Sequence, residues 1–385
     1  MADICIIAVT FDRPRSFARL FESLLRADYG GRSVDFLVSI DGGPRSEGTQ
    51  ATIGPLHWPH GKCGIRRMPE NYGLRRHILH CGDESANYDA VILLEDDIVV
   101  GPGFFRYASW ASRRYSDDER VAGISLYSPA FNEMAALPFV PAPSSHPVYA
   151  LQSAQSWGQC WTKAMWAGFR KWYDANAGTL ENAADMPDRI YSWPESSWKK
   201  YAMKYLAETG RTWVYPFTSH STNCSEVGTH NRQQTALFQV PLAADWNESA
   251  VAPLEELTHY DIYFERENAP LAAEIASRVT GPFQLDLYGT RQKITGPANL
   301  LTVRHLPIEP VARFGLNFRP HEINAALATP GADASLYQIA EGETVDLRVY
   351  RQSNVIRYHS NLDWRESLTA GWRGFVGAVR RRFGQ

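Results

Sequence analysis

The sequence predicts an α/β protein: a mainly parallel sheet with flanking helices, then a small β-rich extension and a terminal amphipathic helix. Three observations carry that expectation. Short apolar runs alternate with amphipathic helical stretches through the first third of the chain, which is how parallel sheets with crossover helices read. The run Ala90-Val91-Ile92-Leu93-Leu94 has the length of a buried strand and stops at Glu95-Asp96-Asp97. From 282 to 358 the pattern changes to short alternating segments such as Gln284–Tyr288 and Thr344–Tyr350.

Taken in order, Ile4–Val9 reads as a strand and Thr10-Phe11-Asp12-Arg13-Pro14 as the turn after it. A helix starts near Ser16, with Phe17, Leu20, Phe21 and Leu24 on one face. Val34–Ile40 is a second strand ending in Asp41-Gly42-Gly43, where glycines either admit a ligand to the backbone or make a plain turn. Ile65–Met68 is a third. The loop Pro69-Glu70-Asn71-Tyr72-Gly73 enters a helix for which Asn71 is the expected cap. Arg75 and Arg76 sit near that helix start, where the dipole disfavours cations, so they either face an anion such as a phosphate or are solvated.

After the acidic triplet, Gly101-Pro102-Gly103 breaks the chain before a helix over Phe104–Tyr115, and Val121–Tyr127 reads as a strand. Residues 128–150 form a loop rich in Pro, Ala and Ser. Ser156-Trp157-Gly158-Gln159-Cys160-Trp161 is expected to open an aromatic helix through Trp166, Phe169 and Trp172. The later aromatics read as core, and Trp157-Gly158 at the turn as a sugar contact. Tyr191–Trp198 starts a further helix, with Ser192 or Ser196 as its cap, and Trp213–Pro216 is a short strand. His230 lies in the polar loop 223–231, where it is either solvated or, beside a metal, a nitrogen ligand. Leu254, Leu257, Tyr260 and Tyr263 keep helical spacing. The expected segments are therefore 1–240, a helical linker 241–281, a β-rich extension 282–360 and a basic amphipathic helix 361–385.

In that last helix Trp364, Leu368, Trp372, Phe375, Val376, Val379 and Phe383 share one face, opposed by Arg365, Arg373, Arg380, Arg381 and Arg382. This suits an anionic membrane surface, a docked terminal helix, or a partner contact. Net charge is −3, which gives no global sign of nucleic acid. Twelve Trp residues suit stacking on bases or sugar rings, and also a core. The five cysteines are scattered with no Cys-x-x-Cys, which argues against a zinc site or disulfide framework and fits a reducing compartment. The first residues do not read as a signal peptide, and no apolar run approaches the roughly 18 residues of a membrane span. A cytoplasmic protein, able to sit peripherally on the inner face of the membrane, is the expectation.

The acidic triplet is the centre of the chemistry. Three adjacent carboxylates repel one another unless a cation offsets them. Carboxylate oxygens completed by substrate phosphates suit Mg²⁺ or Mn²⁺. The plain alternative is an acidic turn at the end of a core strand.

Four stretches in order, Val9-Thr10-Phe11-Asp12-Arg13-Pro14, Ser39-Ile40-Asp41-Gly42-Gly43, Glu70-Asn71-Tyr72-Gly73-Leu74 and Leu94-Glu95-Asp96-Asp97, resemble nucleotide-sugar glycosyltransferases of the GT-A fold. The likeness is to the family-2-like bacterial surface-polysaccharide enzymes and, through Glu-Asp-Asp, to N-acetylglucosaminyltransferase I type enzymes; it covers roughly 1–235. It implies a hexosyl or N-acetylhexosaminyl donor carried on UDP, GDP or dTDP, a glycan or glycolipid acceptor, and inversion. Thr10, Phe11, Arg13 and Asp41 would hold base and ribose, joined by Asn71 in the donor site. Arg75 would approach the diphosphate or base. Glu95 and Asp96 would contact sugar and ribose, Trp157 and Gly158 the sugar. Asp97 would ligate the metal, with His230 beside it. Glu195 is the nearest match to the general base, with Asp188 and Glu226 as rivals, because relatives have Trp-Asp where this chain has Trp193-Pro194-Glu195. A non-catalytic glycan- or nucleotide-binding protein is the alternative. A sugar-phosphate nucleotidyltransferase fits less well, since those open with a Gly-rich loop and not Thr10–Pro14.

Overall fold

In the computed structural model the described residues are 3–54, 56–176, 178, 186–225, 235–248 and 253–359, together with Arg365, Glu366, Leu368 and Trp372. The chain divides into two compact units, Met1–Asn268 with Thr290–Ile294, and Ala269–Gly289 with Thr295–Gln385.

The first unit is built on strands β1 (Ile4–Thr10), β2 (Asp35–Ile40), β3 (Cys63–Arg67), β4 (Ala90–Glu95), β5 (Ile98–Val100), β6 (Val121–Ser125), β7 (Phe131–Asn132), β8 (Leu137–Pro138), β9 (Val148–Leu151), β10 (Gln159–Thr162), β11 (Thr212–Pro216), β12 (Ser221–Asn223) and β13 (His259–Tyr260). Its helices are α1 (Pro14–Leu25), α2 (Glu47–Ile53), α3 (Gly73–Gly82), α4 (Phe104–Tyr115), α5 (Lys163–Asn176), α6 (Asp188–Tyr191) and α7 (Trp198–Thr209). Nine strands form one sheet in the order β13-β9-β11-β6-β10-β4-β1-β2-β3. Its pairs are mainly parallel; β10 runs antiparallel to both β4 and β6, as does β9 to β11. The α/β class is the one the alternating pattern predicts. Strands β1 and β4 are apolar up to their closing residues, Thr10 and Glu95, as strands buried on both faces require, and every residue of β1 is buried.

Register decides where function can sit. Thr10 lies opposite Ile40 and Val9 opposite Glu95, so β1, β2 and β4 end at one level. The residues that follow, Phe11–Arg13, Asp41–Gly43 and Asp96–Asp97, converge on the carboxyl edge of the sheet, where open α/β sheets bind ligands. Strand β5 then pairs with β12 and directs the chain away from the acidic turn.

Two expectations fail locally. Gln159–Trp161 is not the start of a helix but a central strand, with Cys160 opposite both Ile92 and Ile124. A four-residue strand buried on both faces has no period of its own and merges with the helical spacing of α5 behind it. The helical linker 241–281 is largely absent: the described part holds only a 3₁₀ turn over Leu254–Glu256 and a single turn over Ala273–Ala276. Leu254, Leu257, Tyr260 and Tyr263 are all buried, but from extended or turning backbone. The positive φ of Phe264 and Asn268, with Pro253 and Pro270, breaks a continuous helix here.

The second unit carries the four-stranded sheet Phe283–Asp286, Ala298–Thr302, Ala334–Ile339 and Ala312–Phe314, with one parallel and two antiparallel pairs. Its core holds Asp286, fully buried, paired with Arg304 at 3.1 Å and with Thr302 Oγ1 at 2.8 Å. The other guanidinium nitrogens donate to the carbonyls of Leu347 and Gly289, so the buried charge is satisfied on every side. Among the described residues no helix is long and apolar enough to cross a membrane. Most of 361–385 lies outside them; Leu368 and Trp372 are exposed.

Candidate active site

The acidic turn is held from β1. Thr10 Oγ1 donates to Asp96 Oδ2 at 2.8 Å, and the Phe11 backbone N–H also donates to that carboxylate. Arg13, at the start of α1, spans both aspartates: Nη2 lies 2.5 Å from Asp96 Oδ1 and Nη1 donates to Asp97 Oδ2 at 3.0 Å. The Cys224 N–H bonds the Asp97 carbonyl at 2.8 Å and fixes the turn from the far side. Asp96 and Asp97 are 2% and 7% exposed. Burial, only partly countered by Arg13, pushes the Asp96 carboxyl up to about 7. Burial first, and Asp97 second, push Glu95 at the end of β4 up to about 8. Neutral protein therefore keeps this much acid together only at a cost that one guanidinium does not remove.

Arg13, which the resemblance assigns to base and ribose, here pairs with both aspartates of the turn. Asn71 is not the cap of α3. Its side chain accepts only the Gly73 N–H, at 3.0 Å, while the Asp41 carboxylate accepts three backbone donors, Gly42 (2.9 Å), Tyr72 (2.7 Å) and Gly73 (3.0 Å). Asp41, buried at the end of β2, thus ties the Glu70–Gly73 loop to the sheet edge. Gly42 is needed there because a Cβ would fall 2.3 Å from the Glu70 carbonyl oxygen. Phe11 is half-buried with the Arg45 guanidinium 4.9 Å over its ring, and Arg45 pairs with Asp12.

A second group gathers at the start of α7. Arg75 donates to Tyr201 Oη at 2.5 Å and lies over its ring. The Tyr201 hydroxyl donates to Glu195 Oε2 at 2.6 Å, and Lys200 Nζ donates to Glu195 Oε1 at 2.6 Å. Glu195, 53% exposed at its side chain, is held below the usual carboxylate range by Lys200 first and Tyr201 second. Asp188 accepts from Gln292 at 2.8 Å. Glu226 and His230 lie outside the described residues.

Trp157 packs against Tyr127 and Phe238, and its carbonyl accepts Ser221 Oγ at 2.6 Å. Gly158 has φ +106°, and a Cβ there would lie 2.7 Å from Ser221 Oγ. Beside Trp157 sit two groups that the sequence reading missed, Lys199 and Glu133, joined as an ion pair. The Lys199 ammonium lies 5.2 Å over the Trp193 ring and 6.0 Å from the Trp157 ring centre, and its charge reaches Glu95. The available signal was a lysine in the first turn of a helix, the same dipole argument that singled out Arg75.

No family model and no curated protein matches the chain. Among solved structures it is similar to the mannosyltransferase PcManGT from Pyrobaculum calidifontis in complex with GDP-Man and Mn²⁺, with 12% identity over 56% of this chain and 55% of that one, and a TM-score of 0.36. It is similar to S. aureus TarS 1-349 in complex with UDP-GlcNAc, with 10% identity over 60% and 61%, TM-score 0.36. It is also similar to GalNAc-T7 with UDP, GalNAc and Mn²⁺, with 10% identity over 56% and 42%, TM-score 0.39. The chain spans about half the length of the structures it matches. At such identities the likeness concerns the fold, and the chemistry is read from the side chains.

Those side chains fit a hard divalent cation. Asp97 Oδ1 is buried with no hydrogen-bond partner among the described residues, and Asp96 Oδ1 has only the close charge of Arg13 without an aligned hydrogen bond. Among the described residues no set of three or more His, Cys, Asp and Glu side chains is grouped for a metal. One or two carboxylates, with the remaining positions left to substrate phosphates and water, is the usual Mg²⁺ arrangement.

Proposed function

We propose that the first unit is a metal-dependent glycosyltransferase that moves a sugar, hexosyl or N-acetylhexosaminyl, from UDP, GDP or dTDP to a hydroxyl of a glycan or glycolipid, with inversion. Assembly of a bacterial surface polysaccharide is the setting this reading favours. The observation that carries it is the buried, unpartnered Asp97 Oδ1 at the carboxyl edge of a mainly parallel sheet, within an acidic turn that Arg13 only partly neutralises. A bound Mn²⁺ or Mg²⁺ would act as a Lewis acid on the leaving diphosphate.

The chain's own groups supply the rest. Asp97 holds the cation, with His230 as a further ligand. Asp96 is fixed by Thr10 for the ribose, and Glu95 faces the sugar. Asp41 positions the Glu70–Gly73 loop, and Asn71 and Phe11 border the base. Arg75, held by Tyr201, offers a cation to the diphosphate. Trp157, set by the Gly158 turn, provides a face for a sugar ring. Glu195 takes the acceptor proton; Lys200 and Tyr201 keep it ionised and oriented, which makes it a weak but permanently available base. Positioned general bases contribute roughly 10²–10⁴-fold. The basic stretch 361–385 would hold the protein to an anionic membrane, on the cytoplasmic side, near a lipid-linked acceptor.

Calorimetry with UDP, GDP and dTDP, with and without Mn²⁺, tests the reading. Nucleotide affinity should require the metal and vanish in Asp97→Ala with the fold intact. Affinity indifferent to both would favour a binding protein without transfer chemistry. Glu195→Gln should retain donor binding and lose turnover; undiminished turnover moves the base elsewhere.

A further inference from the structure

Resting on the reading that Asp97 ligates a divalent cation, we propose that Arg13 is a displaceable counter-ion, seated on the acidic turn when no metal is bound and competing with the metal for it. The guanidinium bridges Asp96 and Asp97 at 2.5 and 3.0 Å. The partners differ in freedom. Both aspartates are buried, and each is anchored independently of Arg13: Asp96 by Thr10 Oγ1, Asp97 through its backbone carbonyl to Cys224. The Arg13 side chain is 26% exposed, against 3% for Asp96 and 10% for Asp97. Its backbone is pinned as the residue before Pro14, with its carbonyl accepting the Phe17 N–H at 3.0 Å. Only the long side chain can therefore leave, and it can do so without unfolding the turn.

Charge bookkeeping gives the direction. A dication favours the ionised forms of Glu95, Asp96 and Asp97, and three carboxylates against one guanidinium then leave a net negative turn. With the guanidinium in place, that dication would stand within a few ångströms of a like charge, in surroundings far less screening than water. Asp97 Oδ1, buried and left without a hydrogen bond by Arg13, is the oxygen with lone pairs still free for a metal. A displaced guanidinium keeps five N–H donors free for an anionic ligand. The arrangement keeps the metal-free protein folded and holds its bare metal affinity down until an anionic ligand gives Arg13 another partner.

The test is Mn²⁺ binding without nucleotide, by calorimetry and by Mn²⁺ spin resonance, on the full chain. Arg13→Met should bind Mn²⁺ at least tenfold more tightly than wild type, and Arg13→Lys close to wild type because it keeps the charge. Metal-free Arg13→Met should melt lower than wild type and gain more Tm from Mn²⁺. Should Arg13→Met not fold without metal, Arg13→Gln, which keeps a donor to the carboxylates without the charge, takes its place. Equal or weaker Mn²⁺ binding in a folded, charge-neutral variant overturns the proposal, provided Asp97→Ala abolishes the binding. If Asp97→Ala binds Mn²⁺ like wild type, the cation-site reading itself fails, and the role of Arg13 with it.

Discussion

Replacing Asp41 by Ala probes the link between fold and site most directly. Its carboxylate takes three backbone N–H bonds at 2.7–3.0 Å, two of them from Tyr72 and Gly73 at the entry of α3. Hydrogen bonds to a charged group contribute about 1.5–3 kcal/mol each, and they are not additive when they share one acceptor. Loss of an N-cap alone costs about 0.5–2 kcal/mol. Tyr72 and Gly73 are only half-buried, so water recovers part of the loss. The net cost of Asp41→Ala is then about 2–4 kcal/mol. For a domain of this size that lowers Tm by roughly 4–12 °C. Asp41→Asn retains one acceptor oxygen and should lose about half as much. Tryptophan fluorescence reports the first unit, which holds all but two of the Trp residues. The same Asp41→Ala protein should lose donor affinity, since the Glu70–Gly73 loop is no longer tied to the sheet edge. A Tm within about a degree of wild type for both variants would refute the account of Asp41 as the cap of α3.

Gly158→Ala should destabilise the first unit by about 1–3 kcal/mol, because the new Cβ meets Ser221 at a positive φ; thermal melts check this, and sugar-nucleotide affinity should fall with the displaced Trp157. In the second unit, Arg304→Met leaves Asp286 charged, buried and unpaired, at a cost of about 3–5 kcal/mol, and hydrogen exchange of the Ala298–Thr302 amides should accelerate accordingly. Acid should weaken the first unit through His220, which burial against Tyr107 and Trp246 pulls down to about 4 from 6.5. A histidine depressed in the folded state contributes stability above pH 6.5 that is lost as pH falls toward 4, on the order of 3 kcal/mol at most. His220→Phe keeps the ring stack, so the pH dependence of its urea midpoint should be flatter than wild type over that window. An identical slope would remove His220 as the cause.

Much of this protein was legible because its signals are local. The apolar runs of β1, β2 and β4, the helix over Phe104–Tyr115 and the acids that close β4 each show in a handful of neighbouring residues. Parallel strands joined by helices must end on the same side, so the sequence by itself determined that Thr10–Arg13, Asp41–Gly43 and Glu95–Asp97 share one edge. Tertiary structure alone decided who touches whom there. Arg13 lies some eighty positions before the aspartates it neutralises, and Asp41 some thirty before the amides it caps. The strand at Gln159–Thr162 was invisible for the same reason, since its partners Ile92 and Ile124 are far away in sequence and its helical neighbour sets the local period. Periodicity records which face of an element is buried. The pairing of a buried charge records which distant element arrives beside it, and that is fixed by the packing of the whole sheet.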